Sequence, residues 1–513
     1  MANLLATKPL NMIMSEAREG GEHSLRRVLG PTNLITLGIG AIIGTGIFVI
    51  TGAATALHAG PSIVFSFVFA AVGCVFAGLC YAEFASLIPV AGSAYTYGYA
   101  TLGEIFAWII GWDLVLEYAF GAATVASGWS GYFISLLGDF GIKLPPSLAG
   151  TRWDQFIYYH DHWEPVSLIV PKLTAAHIDP ASQPHAFGAF NLLGFLVIAM
   201  TTLILVIGVK ESANFNSLIV IVKVCVLLVF IAIGAHHLLQ HKELMATNWH
   251  PFIPPNTGRF GEFGWSGIFT AASTIFFAYI GFDAVSTSAQ EAKNPEKDMP
   301  IGILGSLVIC TALYIVVAVV LTGLVNYKFL GVRDSLAVAM DSTGVRWGSF
   351  LVKIGALMAL SSTIVVMLMG QSRVFFSMSK DGLLPQLFSS VHVRFRTPWI
   401  SSITVGLFVA VLAATLPINL LGEMVSIGTL LAFVIVCAGV WVLRRRNPEL
   451  PRPFKTPWVP VVPILGIVIS LTMMVTTTVE TKVRLVVWLV LGMIIYFFYG
   501  KNHSRVQKGR TTS

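Results

Sequence analysis

The sequence predicts an all-α protein that crosses a membrane many times. Of its 513 residues, 55% are hydrophobic and only 11% are charged, whereas a soluble globular domain carries about 25% charged residues. The mean hydropathy is +0.78. The charges are unevenly placed and leave apolar runs of roughly twenty or more residues, each long enough to cross a hydrocarbon core of ~30 Å.

Twelve apolar runs are predicted to span the membrane. Their approximate bounds are residues 33–57, 62–88, 103–136, 187–208, 214–237, 265–289, 301–325, 347–378, 398–416, 420–443, 459–479 and 484–500. Residues 1–32 and the tail 501–513 are expected to be cytoplasmic, because the N-terminal segment is polar and the first apolar run is too long for the core of a signal peptide. With both termini inside, the inner segments hold 20 of the 32 lysines and arginines and the outer loops hold 10, in agreement with the positive-inside rule.

The remaining composition disfavours several other classes of protein. Despite the net charge of +7, nucleic-acid binding is not expected, because the densest basic run, residues 444–446, directly follows an apolar span and suits anionic lipid headgroups. The five cysteines all lie in predicted spans and form no disulfide framework. In the long outer loop, residues 160–162, His177 and His185 could be interpreted as a metal site. Their spacing matches no tight ligand pattern, so we expect neither a metal nor a cofactor.

Glycine-rich interruptions occur in the first and the sixth predicted span, at residues 40–48 and 276–283. Glycine inside a helix costs up to ~1 kcal/mol relative to alanine. Unwound backbone at membrane depth is tolerated only where it is buried in protein or lines a cavity. Because interrupted helices in corresponding positions of two halves mark the binding site of many transporters, the sequence predicts a binding site at these two segments.

Lys223 is the most deeply placed charge and lies in the fifth predicted span. Removal from water favours the neutral amine, so we predict a role in proton coupling. The alternative is a permanently charged lysine that bonds helix-end carbonyls or extends to the membrane surface.

Acidic residues form a second group inside the predicted spans. Asp113 and Glu117 lie one helical turn apart on a common face. They could attract a cationic group of a substrate or anchor the third span to its neighbours, and the sequence does not decide between these roles. Glu83 and Glu104, near span ends, are expected to be structural or gating residues, and Asp283 is expected to cap the half-helix that follows the sixth-span interruption.

Hydroxyl groups and one methionine stand out in the eighth span. Ser361 and Ser362 are adjacent there, and such hydroxyls often bond the preceding turn of their own helix. If this span crosses behind the first interruption, they would instead face Lys223. Met367 lies further along the same span and is a candidate for the substrate pocket.

Four groups of residues, in this order and at these separations, resemble the amino acid-polyamine-organocation superfamily, and within it the cationic amino acid transporter branch in its short bacterial form. They are GIGAIIGTGIF at residues 38–48, YAEF and PVAGSAY within residues 81–95, GFD and EAKNP within residues 281–295, and the segment 373–385 that ends in DGLLP. The resemblance covers nearly the whole chain. Gln290 stands where the family pattern has an acid.

The resemblance implies an inverted repeat of five plus five spans. Residues 33–237 and 238–443 would form the two halves, and residues 444–500 would form two peripheral spans. Both interruptions then fall in the first helix of a repeat. The implied protein is a multi-pass transporter in a bacterial cell membrane.

The resemblance also implies roles for individual residues. A substrate carboxylate would bind the backbone amides at the start of a half-helix, and the substrate amino group would bind carbonyl groups where helical bonding is interrupted. Phe277 would cover the substrate, and Met367 would shorten the pocket and favour small or neutral amino acids over arginine or lysine. The substrate-binding candidates are Ile42, Ile43, Gly44, Thr45, Gly46, Phe277, Ile280, Met367 and Glu117.

Coupling is implied at a separate position. The Lys223 ammonium would replace the sodium ion of sodium-coupled relatives and bond the carbonyls of Gly40 or Ile43 together with the hydroxyls of Ser361 and Ser362. Loss of its proton would free the first span to move.

The expected function is therefore secondary active transport of an amino acid, coupled to a proton, by alternating access. An amino acid exchanger of the same fold is the main alternative, followed by a membrane enzyme or a channel. The chain shows no GxxxxGK[ST], HExxH or GxSxG motif, which disfavours the enzyme.

Overall fold

A computed structural model describes residues 4–9, 29–88, 93–159, 162–175, 177–208, 213–283, 285–286, 289, 292–395 and 397–511. Parts of two family motifs, residues 89–92 and 290–291, lie outside the described residues. His160 and Asp161 of the long outer loop lie outside them as well.

The described residues form a predominantly helical membrane protein, as predicted. Among the described residues, seven helical segments are long and apolar enough to cross a membrane: Gly46–Leu87 (which contains a turn at Gly60), Glu104–Asp139, Ile219–Gln240, Pro295–Leu324, Arg346–Lys380, Ile418–Arg446 and Val479–His503. Four shorter apolar helices accompany them: Pro31–Ile42, Leu192–Ile207, Trp399–Thr415 and Val461–Thr476. Several apolar helices of membrane-spanning length make this a multi-pass membrane protein.

The main helices are labelled in chain order. They are α1 (Pro31–Ile42), α2 (residues 46–59), α3 (Ile63–Leu87), α4 (Ser93–Thr101), α5 (Glu104–Asp139), α6 (Leu192–Ile207), α7 (Ala213–Gln240), α8 (Gly264–Ile275), α9 (Pro295–Leu324), α10 (Arg346–Lys380), α11 (Trp399–Thr415), α12 (Ile418–Arg446), α13 (Val461–Thr476) and α14 (Val479–His503). Short helices lie at Pro146–Ala149, Val166–Ala175, Lys242–Asn248, Ser335–Asp341 and Arg505–Thr511.

The first predicted interruption is confirmed as a separation between α1 and α2. Helix α1 ends at Ile42, and Ile43 adopts an extended conformation with φ −72° and ψ 100°. Helix α2 then begins with a π-helical turn at Gly46–Ile50. It ends at Gly60, whose φ of +59° lies in the left-handed region that favours glycine. This turn separates α2 from α3.

A small β-sheet in the loop between α5 and α6 is absent from the sequence-based prediction. Its strands are β1 (Gln155–Tyr159), β2 (His162–Pro165) and β3 (His185–Phe187), in the order β2-β1-β3. Both pairings are antiparallel. The loop is attached to the helices by an ion pair of 2.6 Å between Arg333 and Asp154.

Helix packing brings the first helices to the middle of the bundle. Helix α9 packs against α1 and α3, α7 packs against α1, α9 and α10, and α10 packs against α5. The two predicted acids near span ends have structural contacts. Glu83 on α3 binds the Arg444 side chain of α12 through two bonds of 2.8 Å, and Glu104 accepts hydrogen bonds from Tyr99 and Tyr496 at 2.9 and 2.8 Å.

Candidate functional site

Two glycines allow the first and the sixth interruption to touch. A Cβ atom on Gly46 would lie 2.2 Å from the Cα atom of Ala278. A Cβ atom on Gly281 would lie 2.8 Å from the carbonyl carbon of Ala41, and the φ of Gly281 is +116°. No larger residue fits either position without moving backbone. The two interruptions therefore lie in direct contact, as a single site built from both would require.

The sixth interruption begins where α8 ends at Ile275. A 3-10 turn, Phe276–Tyr279, follows, and then Ile280 is extended with ψ 135°. The amide of Ile280 donates to the carbonyl of Phe277 at 3.2 Å. The amide of Gly281 donates to the Asp283 carboxylate at 3.3 Å. Asp283 thus bonds backward to the turn that precedes it. The described residues from 283 to 289 are 3-10 helical, and residues 284, 287 and 288 lie outside the described part of the chain. The expectation that Asp283 caps the half-helix starting there therefore stays a prediction.

Side chains from other helices bind the carbonyl groups that the first interruption leaves free. The Lys223 ammonium on α7 donates to the carbonyls of Gly40 and Ile43 at 2.8 and 3.1 Å. The Tyr314 hydroxyl on α9 donates to the carbonyl of Ile42 at 2.9 Å. Because buried backbone polar groups must be paired, these contacts hold the unwound segment at membrane depth. The expected contact of Lys223 with Gly40 and Ile43 is present.

The hydroxyl beside Lys223 belongs to Thr363, which the sequence analysis missed. Lys223 Nζ donates to Thr363 Oγ1 at 3.2 Å. Ser361 and Ser362 instead donate to carbonyls of their own helix at 2.7 and 2.9 Å, so their predicted contact with Lys223 is wrong. Consecutive residues of an α-helix point in directions about 100° apart. Only one residue of the hydroxyl run can face Lys223, and it is the third.

The amide groups of the first interruption remain available. The amides of Gly44, Thr45 and Gly46 donate no hydrogen bond to another described residue. The hydroxyl of Thr45 is also buried and has no partner within the described part of the chain. Buried polar groups of this kind are rare in proteins and need a ligand, a water molecule or another explanation. This segment therefore presents several hydrogen-bond donors to a buried space.

The acids of α5 face α12 and the sixth interruption. Glu117 lies in a π-helical turn, Leu116–Phe120, a feature frequent at functional sites. Its carboxylate accepts from Thr429 on α12 at 3.3 Å, and it lies close enough to Asp283 for the two carboxyl groups to interact. Asp113 faces α12 at Gly428. Both carboxylate oxygens of Asp113 are buried and accept no hydrogen bond from another described residue.

Met367 lies one helical turn after Thr363, on the same face of α10. Thr363 is the residue nearest to Gly44 across the first interruption: a Cβ atom on Gly44 would lie 3.1 Å from its side chain. Met367 therefore lies on the face of α10 that is directed toward this interruption. Phe277 and Ile280 are buried, with 4% and 3% of their surface exposed.

Comparisons with known proteins agree with this architecture. The sequence profile of the family described as "Amino acid permease" matches residues 29–499. The chain is 44% identical over 493 residues to the branched-chain amino acid permease BcaP of Bacillus subtilis (strain 168), which covers 96% of this chain and 97% of that relative. It is 39% identical over 508 residues to the methylthioribose transporter of the same organism, with 99% and 100% covered.

Plant relatives are less similar. The chain is 35% identical over 432 residues to the vacuolar cationic amino acid transporter 4 of Arabidopsis thaliana, which covers 84% of this chain and 66% of that protein. All three relatives are named as transporters or permeases. The chain belongs to the amino acid permease family, within the amino acid-polyamine-organocation superfamily, and it is a membrane transport protein and not an enzyme.

Proposed function

We propose that this protein is a proton-coupled transporter that carries a neutral amino acid across a bacterial cell membrane by alternating access. The observation that carries the proposal is the opposite chemistry of the two touching interruptions. The first presents the amides of Gly44, Thr45 and Gly46, which donate to no other described residue, and the second presents the carbonyls of Phe277 and Ile280. An α-amino acid has one charged group for each.

The carboxylate of the substrate would bind the first interruption. Backbone amides at the start of a helix bind anions through direct hydrogen bonds and the positive end of the helix dipole. Residues 44–46 precede or begin α2, so their amides lie at this end. The Thr45 hydroxyl, which is buried without a partner among the described residues, would supply a further donor.

The amino group would bind the carbonyls of Phe277 and Ile280. The carbonyl of Ile42 accepts a hydrogen bond from Tyr314 at 2.9 Å and has a second lone pair available. Phe277 would then pack over the bound amino acid. These groups recognise the amino acid backbone and leave the side chain to other residues.

The part of the pocket that would receive the substrate side chain is best suited to a neutral, apolar group. Met367 is directed toward the first interruption and offers an apolar, polarizable surface. The charged end of a long cationic side chain needs a strong hydrogen-bond acceptor, and the Met367 thioether is only a weak one. The 44% identity to a branched-chain amino acid permease supports the same substrate class. Methylthioribose is the second candidate substrate, because the relative with that name is 39% identical over the whole length.

Lys223 is proposed to couple transport to the proton. Its ammonium holds two carbonyls of the first interruption and one hydroxyl of α10. A neutral amine binds these acceptors far more weakly than an ammonium does. Proton loss would therefore release α1 and α2 from α7 and α10, and this release would permit the conformational change. The carbonyls of Gly40 and Ile43 and the hydroxyl of Thr363 would be the acceptors whose hydrogen bonds weaken when Lys223 loses its proton.

The proposed topology has twelve spans, with α1 and α2 forming the first and the sixth starting at α8. Spans one to five and six to ten would form the two inverted repeats, and both termini would be cytoplasmic. This orientation rests on the distribution of lysine and arginine.

Transport in proteoliposomes tests the proposal. We expect labelled leucine to accumulate in the proteoliposomes when the outside solution is more acidic than the inside. A protonophore should abolish this accumulation, and sodium should have no effect on it. Lys223→Ala should lose accumulation but still bind leucine. Uptake that ignores the pH gradient, or requires sodium, would refute the coupling. Competition by methylthioribose but by no amino acid would refute the substrate class.

A further inference from the structure

We propose that Gly121 on α5 is a specificity-determining residue, because the space above its Cα atom holds the thioether of Met367 and thereby sets the size of the substrate side chain. The inference rests on the proposed function. It assigns a role to a residue that would touch no substrate itself and would act through Met367.

The geometry of the pair is close. A Cβ atom on Gly121 would lie 2.9 Å from the sulfur of Met367 and 3.3 Å from its terminal methyl carbon. Real Cβ atoms essentially never approach another heavy atom as closely as the first of these distances. The methionine side chain therefore occupies the space that the Cβ atom of any residue other than glycine would fill at position 121.

The methionine, and not the helix, would give way to an added methyl group. Helix α5 is held against α10 along this stretch, where a Cβ atom on Gly370 would lie 3.5 Å from the ring of Tyr118. Moving α5 would disturb this contact and the buried carboxyl groups of Asp113 and Glu117 beside it. A methionine side chain has three rotatable bonds and adapts to irregular gaps. Its thioether would move with little cost.

The direction of that movement is set by the packing. Helix α5 blocks one side of the thioether, and Thr363, one turn earlier on the same face of α10, lies 3.1 Å from the Cβ position of Gly44. In the proposal, the thioether has room to move along α10 toward Thr363, whose side chain borders the first interruption where the substrate would lie. An alanine at position 121 would push the thioether toward the substrate and shorten its side-chain pocket.

A second glycine–methionine pair on the same two helices provides a matched control. A Cβ atom on Gly111 would lie 2.7 Å from the sulfur of Met378. This pair lies about three turns from the first pair, beside Tyr95 and the end of α10. Gly111→Ala should therefore disturb helix packing to a similar degree without affecting the pocket.

The test compares alanine, leucine and phenylalanine as competitors of leucine uptake in proteoliposomes. Gly121→Ala should weaken leucine relative to alanine by about tenfold or more, because one methylene group in a tight pocket discriminates by about 10- to 200-fold. Gly111→Ala should leave the leucine-to-alanine ratio within about twofold of the wild type, whatever its effect on the total rate. A Gly121→Ala variant that weakens all three substrates equally would overturn the proposal.

The double variant distinguishes a steric effect from a folding defect. In a Met367→Ala background the thioether is gone, so adding Gly121→Ala should leave the selectivity of that background unchanged. The double variant also has room for the added methyl group, which keeps the test open if Gly121→Ala alone does not fold. A changed selectivity in the Met367→Ala background would overturn the proposal. If the wild type binds no α-amino acid, the proposed function fails instead.

Discussion

Replacement of Thr363 by valine tests the coupling site most directly. The hydroxyl of Thr363 accepts one hydrogen bond from the Lys223 ammonium at 3.2 Å, beside the carbonyls of Gly40 and Ile43 at 2.8 and 3.1 Å. Valine keeps the shape of the side chain but removes this acceptor. Because both residues are buried, no bulk water replaces it, and one ammonium N–H loses its partner.

The expected magnitude follows from the charge of the donor. A hydrogen bond to a charged group contributes about 1.5 to 3 kcal/mol, and about 1.4 kcal/mol corresponds to a tenfold change in an equilibrium constant. Thr363→Val should therefore favour the neutral amine by about ten- to hundredfold. Proton-driven accumulation of leucine should decline accordingly, whereas binding to the detergent-solubilised protein, measured by calorimetry, should change little.

Two neighbouring hydroxyls serve as controls. Among the described residues, Ser362→Ala removes a group that bonds only the carbonyl of Ala359, and Ser361→Ala removes one that bonds Leu357 and Trp129. Both variants should accumulate leucine within about threefold of the wild type. The reasoning would be refuted if Ser362→Ala lost accumulation while Thr363→Val kept it.

Three further variants test packing and electrostatics elsewhere. Gly46→Ala should abolish uptake and lower the thermal midpoint, because its Cβ atom would lie 2.2 Å from backbone of the sixth interruption, whereas Gly30→Ala, with nothing within 4 Å, should be neutral. Glu83→Gln should destabilise the protein by about 3 kcal/mol or more, because it leaves Arg444 and Arg452 without their buried carboxylate partner. The exposed Glu449→Gln is the control, and equal thermal midpoints of the two variants would contradict this prediction. Burial raises the pKa of the Asp334 carboxyl above its ordinary value of 3.8. Its folded form thus binds more protons than its unfolded form, and stability should fall as the pH rises from 3.8 through the raised pKa. The thermal midpoint of Asp334→Asn should therefore rise relative to that of the wild type as the pH increases over that range. A difference between the two midpoints that does not change with pH would contradict the prediction.

Sequence patterns predicted the interruptions well because glycine reports backbone conformation directly. Gly46 and Gly281 are required by a close approach and by a φ of +116°, and no other residue satisfies either demand. The depth of Lys223 was equally readable, since a lysine in a long apolar run needs acceptors. Carbonyls left free by a nearby interruption are the acceptors that such a sequence offers.

The pairing of individual side chains was harder to predict, because it depends on helix rotation and on neighbours that are distant in sequence. Thr363 and Ser362 differ by one position, yet only the former faces Lys223. Tyr314 belongs to an apolar helix and binds Ile42 across 272 positions of the chain. A phenol inside a span signals the need for a partner, but nothing local identifies which carbonyl it will find.

The pairing of β1 with β3 in the loop before α6 escaped prediction for a related reason, whereas β2 pairs with β1 close by in the sequence. Strand β1 carries the run Gln155–Tyr159, which is rich in aromatic residues and favourable for a strand. Its partner β3 lies about 28 residues further along the chain. Single-sequence patterns contain little information about such pairings, because the contacts that stabilise them are not local.

Helices α7 and α9 bind the first interruption through Lys223 and Tyr314, and α10 supports Lys223 through Thr363. Tyr314 and Thr363 contribute neutral hydroxyl groups, and Lys223 contributes the ammonium whose proton is proposed to be the coupled one. Moving a two-state equilibrium from 1:99 to 99:1 requires about 5.5 kcal/mol. Two of the three hydrogen bonds of the Lys223 ammonium reach the first interruption, and at about 1.5 to 3 kcal/mol each they contribute about 3 to 6 kcal/mol. In the proposed coupling, loss of the Lys223 proton would thus supply a free-energy change of the size needed to switch α1 and α2 between a held and a released state, whereas the contact of Tyr314 with Ile42 would persist in both.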